Sequence, residues 1–102
     1  MKIIEMLVDD IDEELEGAKH YAKKALKYKD ENPALAKMFF DMSGDEMKHM
    51  HMLHDEVVKI IEEHKRTKGE PPAAMLAVWD YVHKKHIKEA NEVRILQNEF
   101  RA

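Results

Sequence analysis

Apolar residues recur in steps of three and four along almost the whole chain. Ile4, Leu7, Ile11, Ala18, Tyr21 and Ala25, with Leu15 and Ala22 alongside, mark one face of a first helix. In a second, Leu35, Phe39, Met42, Glu46, His49, Leu53, Val57 and Ile60 advance by 4, 3, 4, 3, 4, 4 and 3. Met75, Val78, Trp79, Val82, His86, Val93, Leu96 and Phe100 trace a third. The pattern breaks twice. Asn32-Pro33 is a start signal, with Asn as the cap and Pro at the first helical position. At Gly69-Glu70-Pro71-Pro72, Gly ends one helix and Pro opens the next. The spacing predicts an all-α chain with helices over about 2–29, 33–66 and 72–100. Short connections make neighbouring helices antiparallel, so the first two form a long hairpin.

Two polar residues interrupt the second stripe. Glu46 and His49 fill consecutive slots, and Glu14 falls between Ile11 and Ala18 on the first helix. Ionisable groups on a core line are costly unless something pairs with them. Heights can be compared across the turn, because every helical residue rises by the same amount. Glu14 lies about 17 residues before the turn centred at Glu31/Asn32, and the midpoint of Glu46 and His49 about 16 after it. The three side chains therefore fall at one level on facing stripes. The same count across the second turn brings Glu89, with His86 one turn away, to that level as a further candidate. Gly44 costs the helix about 1 kcal/mol relative to Ala, and Ser43-Gly44 leaves room there for a close approach. Asp9, Asp12 and Glu13 fall off the apolar stripe and read as solvated, as do Asp80, His83, Lys84, Lys85, Lys88 and Arg94. Trp79 and Tyr81 read as ordinary packing.

Composition narrows the chemistry. A length of 102 residues is the size of one domain, 1–102, with a modest core. Charged residues make up 37%, with only three Gly and three Pro, which suits a helical protein. A net charge of −4 argues against nucleic acid as a partner. No stretch of about 18 apolar residues spans a membrane and no signal peptide opens the chain, so a soluble cytoplasmic protein is the expectation. With no Cys, thiolate sites and thiol nucleophiles are excluded. Ser43 is the only serine, and no Gly-rich phosphate loop is present. Carboxylate and imidazole donors without sulfur suit iron, manganese or zinc. A Glu from one helix plus Glu-x-x-His from another is half of the dinuclear carboxylate site built in four-helix bundles.

Two stretches carry a resemblance. Glu13-Glu14-Leu15-Glu16-Gly17-Ala18-Lys19-His20-Tyr21 and Asp45-Glu46-Met47-Lys48-His49 look like the ferritin-like superfamily. The chain is most similar to rubrerythrin-type helices and to short encapsulated ferritin-like proteins, over roughly residues 9–60. The resemblance implies Glu14, Glu46 and His49 as iron ligands and Tyr21 as a neighbour behind them. Family members with two such helix pairs hold the whole site in one chain; this chain has one pair. The resemblance therefore implies a homodimer, or a larger even homo-oligomer, that completes a four-helix core and shares two iron ions between chains. The tail Gln97-Asn98-Glu99-Phe100-Arg101-Ala102 does not look like an encapsulin-targeting segment.

The leading expectation is a dinuclear iron protein that oxidises ferrous iron with oxygen or peroxide, with Glu46 bridging two ions and Glu14 and His49 each capping one. The alternative is a metal-free helical interaction or structural module, for which Ile3, Ile4, Met6 and Val8 would form the partner surface. The run from Met47 to His54 is rich in Met and His like a copper cluster, but on a helix these side chains point all the way round.

Overall fold

A computed structural model describes residues 1–102 as three helices: α1 (Lys2–Tyr28), α2 (Pro33–Lys68) and α3 (Ala73–Arg101). The expected ends differ from these by one or two residues. Asn32 caps α2 by accepting from the Leu35 amide at 3.2 Å, with Pro33 in the first turn. Gly69 ends it with φ +84°, a conformation other residues rarely adopt. The molecule is a rod of 55 × 19 × 18 Å. α1 and α2 run antiparallel. α3 returns alongside both, parallel to α1, as the pairs Asp12–His86, Lys19–Glu92 and Lys29–Ala102 show by climbing together. No helix is long and apolar enough to cross a membrane.

α1 buries Ile4, Leu7, Ile11, Leu15, Ala18, Ala22 and Ala25. In α2 the buried line is Ala36, Ser43, Met47, Met50, Val57 and Ile61. That line is rotated by one residue from the expected stripe. Of the expected residues only Val57 is buried, whereas Leu35, Phe39, Met42, Glu46, Leu53 and Ile60 are half-buried and His49 is exposed. The reason is that α2 is apolar over a wide arc, and periodicity alone does not say which part faces the chain's own core.

The register between α1 and α2 is set by small residues. Ala18, Ala22, Ala25, Ala36 and Ser43 are all essentially fully buried, so the helix backbones approach closely. Ser43 Oγ donates to the Ala18 carbonyl at 2.7 Å and accepts from Gln97 Nε2 at 3.0 Å, joining all three helices at one point. Gly44, expected at a close approach, has nothing near the position of a Cβ.

α3 covers only one side of the hairpin. It buries His86, Ala90, Val93 and Gln97, and Phe40 stacks on Phe100. Val78 and Tyr81, expected to pack, are exposed. Ile4 joins the core and Val8 packs against it, leaving Ile3 and Met6 exposed from the N-terminal apolar group. On the side away from α3, Ile3, Met6 and Met38 are exposed and Tyr21, Phe39, Met42 and Leu53 are half-covered.

Candidate metal centre

The register fixed at Ser43 and Ala18 carries Glu14 to the level of Glu46 and His49, about one turn further along each helix. One ligand atom from each of the three lies within 4.8 Å of the other two. His49 Nδ1 is 3.4 Å from Glu14 Oε2; the two side chains are 54% and 26% exposed. The group sits on the half-covered face of the hairpin, away from α3.

Electrostatics in this group are unbalanced. Glu14 Oε2 is buried with no hydrogen-bond donor when both acids are ionised. The Glu46 carboxyl is pushed up from 4.5 to about 7, first by a hydrogen bond with Glu14, then by burial and by the charges of Glu14 and Asp45. His49 pulls the other way. Two carboxylates facing each other in a partly dry site hold one proton between them, and a cation can take that proton's place.

Gly17 makes room for Glu46. A Cβ there would lie 3.3 Å from Glu46 Oε2 and 3.6 Å from its Cδ, so the Glu46 side chain lies directly against the α1 backbone. The sequence held a signal for this: a mid-helix glycine three residues after Glu14 costs about 1 kcal/mol of helix propensity without an evident return.

The remaining candidates lie elsewhere. Tyr21 is on the same side of α1, two turns from Glu14, stacked on Phe39 with ring centroids 6.1 Å apart. His86 faces the other side of the hairpin, where its Nε2 meets Asp12 Oδ1 at 2.7 Å. Asp12, read as solvated, is therefore the partner of a buried imidazole. Its position is 200° around the helix from Glu14, which separates the two carboxylates onto opposite flanks. Glu89 is near Lys85 at 3.9 Å, on a polar cavity shared with Asp12, Glu16 and Glu92. Neither His86 nor Glu89 joins the Glu14–Glu46–His49 group. In the Met/His run, Met47 and Met50 are buried in the core while His51 and Met52 are exposed, so the side chains diverge.

A family model described as Rubrerythrin matches residues 5–99. The chain belongs to the rubrerythrin family. The match takes in all three helices, so α3 lies within the family's domain as well as the hairpin. The family has a ferritin-like helical fold, and its members typically bind iron. Among curated proteins and solved structures, none matches the chain significantly.

Proposed function

We propose that this member of the rubrerythrin family binds iron through Glu14, Glu46 and His49, and that two copies of the chain share a dinuclear site that oxidises ferrous iron with oxygen or peroxide. The observation that carries the reading is the gathering of two carboxylates and an imidazole within 4.8 Å, with Glu14 Oε2 buried and lacking a donor once both acids are ionised. That donor set fits iron, and also manganese or zinc. Ferrous iron held by Glu14, Glu46 and His49 would supply the electrons for reducing oxygen or peroxide.

The chain's own residues prepare the site. Ser43 and Ala18 lock the hairpin register, so the ligands need no rearrangement to meet. Gly17 lets Glu46 lie inward beside Glu14. The proton held between these acids leaves as the cation enters, which makes loading sensitive to pH. One chain offers three ligands on an open face, too few to enclose two ions. Around them lie Met42 and Leu53 of α2 and Tyr21 and Phe39 further along. A second hairpin laid on this face by a two-fold axis would duplicate the ligands and cover these apolar side chains.

The test is metal analysis of the purified protein together with its mass in solution. About one iron per chain, in a species of even chain number, is expected. Addition of ferrous iron in air should raise a ferric absorbance faster than in buffer alone. Stoichiometric binding that survives the Glu46→Ala/His49→Ala double change would overturn the reading, as would full loading of a species with the mass of one chain.

A further inference from the structure

A second group of histidines lies on the other side of the molecule, where α2 meets α3. His54 Nε2 and His83 Nε2 are 3.0 Å apart. Their rings are held in place: His83 stacks on Trp79 with centroids 5.4 Å apart and planes 1° from parallel, and His54 leans on the same indole at 6.0 Å. One turn on from His83, His86 is 3% exposed. The Asp12 carboxylate accepts from His86 Nε2–H, so in the neutral imidazole the lone pair is on Nδ1. That Nδ1 is buried and has no hydrogen-bond partner. His51, His54, His83 and His86, together with Met50 and Arg94, line one cavity of about 120 Å³.

A single N–H···N bond accounts for His54 and His83. It leaves His86 Nδ1 unexplained, and an unmet buried acceptor costs about 1–3 kcal/mol. A carboxylate behind an imidazole is the arrangement that fixes tautomer and orientation in metal-ligating histidines.

We propose that His54, His83 and His86 form a site for one imidazole-seeking divalent cation of the zinc, copper, nickel or cobalt class, complete within one chain and separate from the Glu14–Glu46–His49 group. Two nitrogens bound at 2.0–2.1 Å to a tetrahedral ion are about 3.3 Å apart, close to the spacing of His54 and His83. His54, His83 and His86 do not stand within 4.8 Å of one another, so ligation by His86 Nδ1 requires its ring to shift towards the pair while Asp12 keeps its tautomer. Three nitrogen donors favour this metal class, whereas the carboxylate-rich group on the other flank suits harder ions. An ion here joins α2 to α3.

The experiment uses the full chain carrying Glu46→Ala/His49→Ala, which silences the first group. Cobalt(II) is titrated while its visible absorbance is followed, and zinc is then added in competition. One equivalent of cobalt per chain is expected, displaced by zinc. Adding His54→Gln/His83→Gln should weaken binding at least tenfold, as should His86→Gln. Asp12→Asn should weaken it by roughly tenfold or more, and His20→Gln should leave it unchanged. Absence of the cobalt absorbance, or binding indifferent to His54→Gln/His83→Gln, overturns the proposal; indifference to His86→Gln overturns the three-nitrogen assignment. If the silenced background does not fold, the wild-type chain is titrated with and without His54→Gln/His83→Gln. Loss of one equivalent per chain supports the second site, and no loss overturns it.

Discussion

Replacing Glu46 by Gln should stabilise the metal-free protein, in a pH-dependent way. The Glu46 carboxyl titrates at about 7 in the folded chain against 4.5 ordinarily. A raised acid pKa contributes stability that is full below pH 4.5 and is lost as pH rises through 7. The shift of about 2.5 units corresponds to at most about 3.4 kcal/mol. Glu46 is only half-buried, and solvent screening reduces this to about 1–2 kcal/mol. Gln is isosteric with the protonated acid, and its amide can donate to Glu14 Oε2 at every pH. Glu46→Gln should therefore match the wild type near pH 4.5 and exceed it at pH 8, by about 5–10 °C in Tm for a chain of this length. The assay is a thermal melt followed by circular dichroism at pH 4.5, 6 and 8, with a chelator present and at one protein concentration. Adding manganese(II) or, without air, iron(II) should reverse the order, because only the wild type gains the stabilisation of a loaded site. A difference in Tm that does not change with pH, or a variant less stable than wild type at pH 8, would refute the reasoning.

Other outcomes follow from the same geometry. Gly17→Ala should gain up to about 1 kcal/mol of helix propensity while pressing on Glu46, so calorimetry should show a higher Tm together with weaker metal binding. Ser43→Ala removes both the bond to the Ala18 carbonyl and the acceptor of Gln97; a loss of about 1–2 kcal/mol is expected in urea unfolding, and an unchanged midpoint would contradict the role of Ser43 as the three-helix tie. Metal affinity at the Glu14–Glu46–His49 group should fall as pH drops below about 7, the point at which Glu46 takes up its proton. Isothermal titration in buffers of different ionisation enthalpy should then report proton release on binding. In sedimentation, mass should shift from one chain towards an even assembly on loading with iron, and Leu53→Lys should oppose that shift by placing a charge on the half-covered face.

Much of the candidate metal centre was legible because helix geometry is regular. The i, i+3 spacing of Glu46 and His49 and their distance from the turn required only a constant rise per residue and one well-marked cap at Asn32. Gly17 was visible as a costly residue, but its purpose was not. Only the facing helix shows that Glu46, rather than a backbone, occupies the space above it. His54 and His83 were missed, and His86 was set on the wrong flank, for a different reason. His83 falls off the apolar stripe and Asp12 off another, so each reads as solvated alone. Their partners, His54 and His86, come from segments 29 and 74 residues away, and no local spacing relates them.

The sequence by itself determined that three helices form and where they begin and end, since caps, prolines and apolar period are local properties. It also determined that Glu14, Glu46 and His49 share one level. Which face of α2 turns inward was decided only by tertiary structure. α2 offers two adjacent apolar lines, and both satisfy the same period. Close packing of Ala18, Ala22 and Ala25 against Ala36 and Ser43 selects one of them and leaves the other, with the Glu46 carboxylate and the His49 imidazole, on the uncovered side. Packing of small residues is a property of two surfaces together, and neither helix carries it alone.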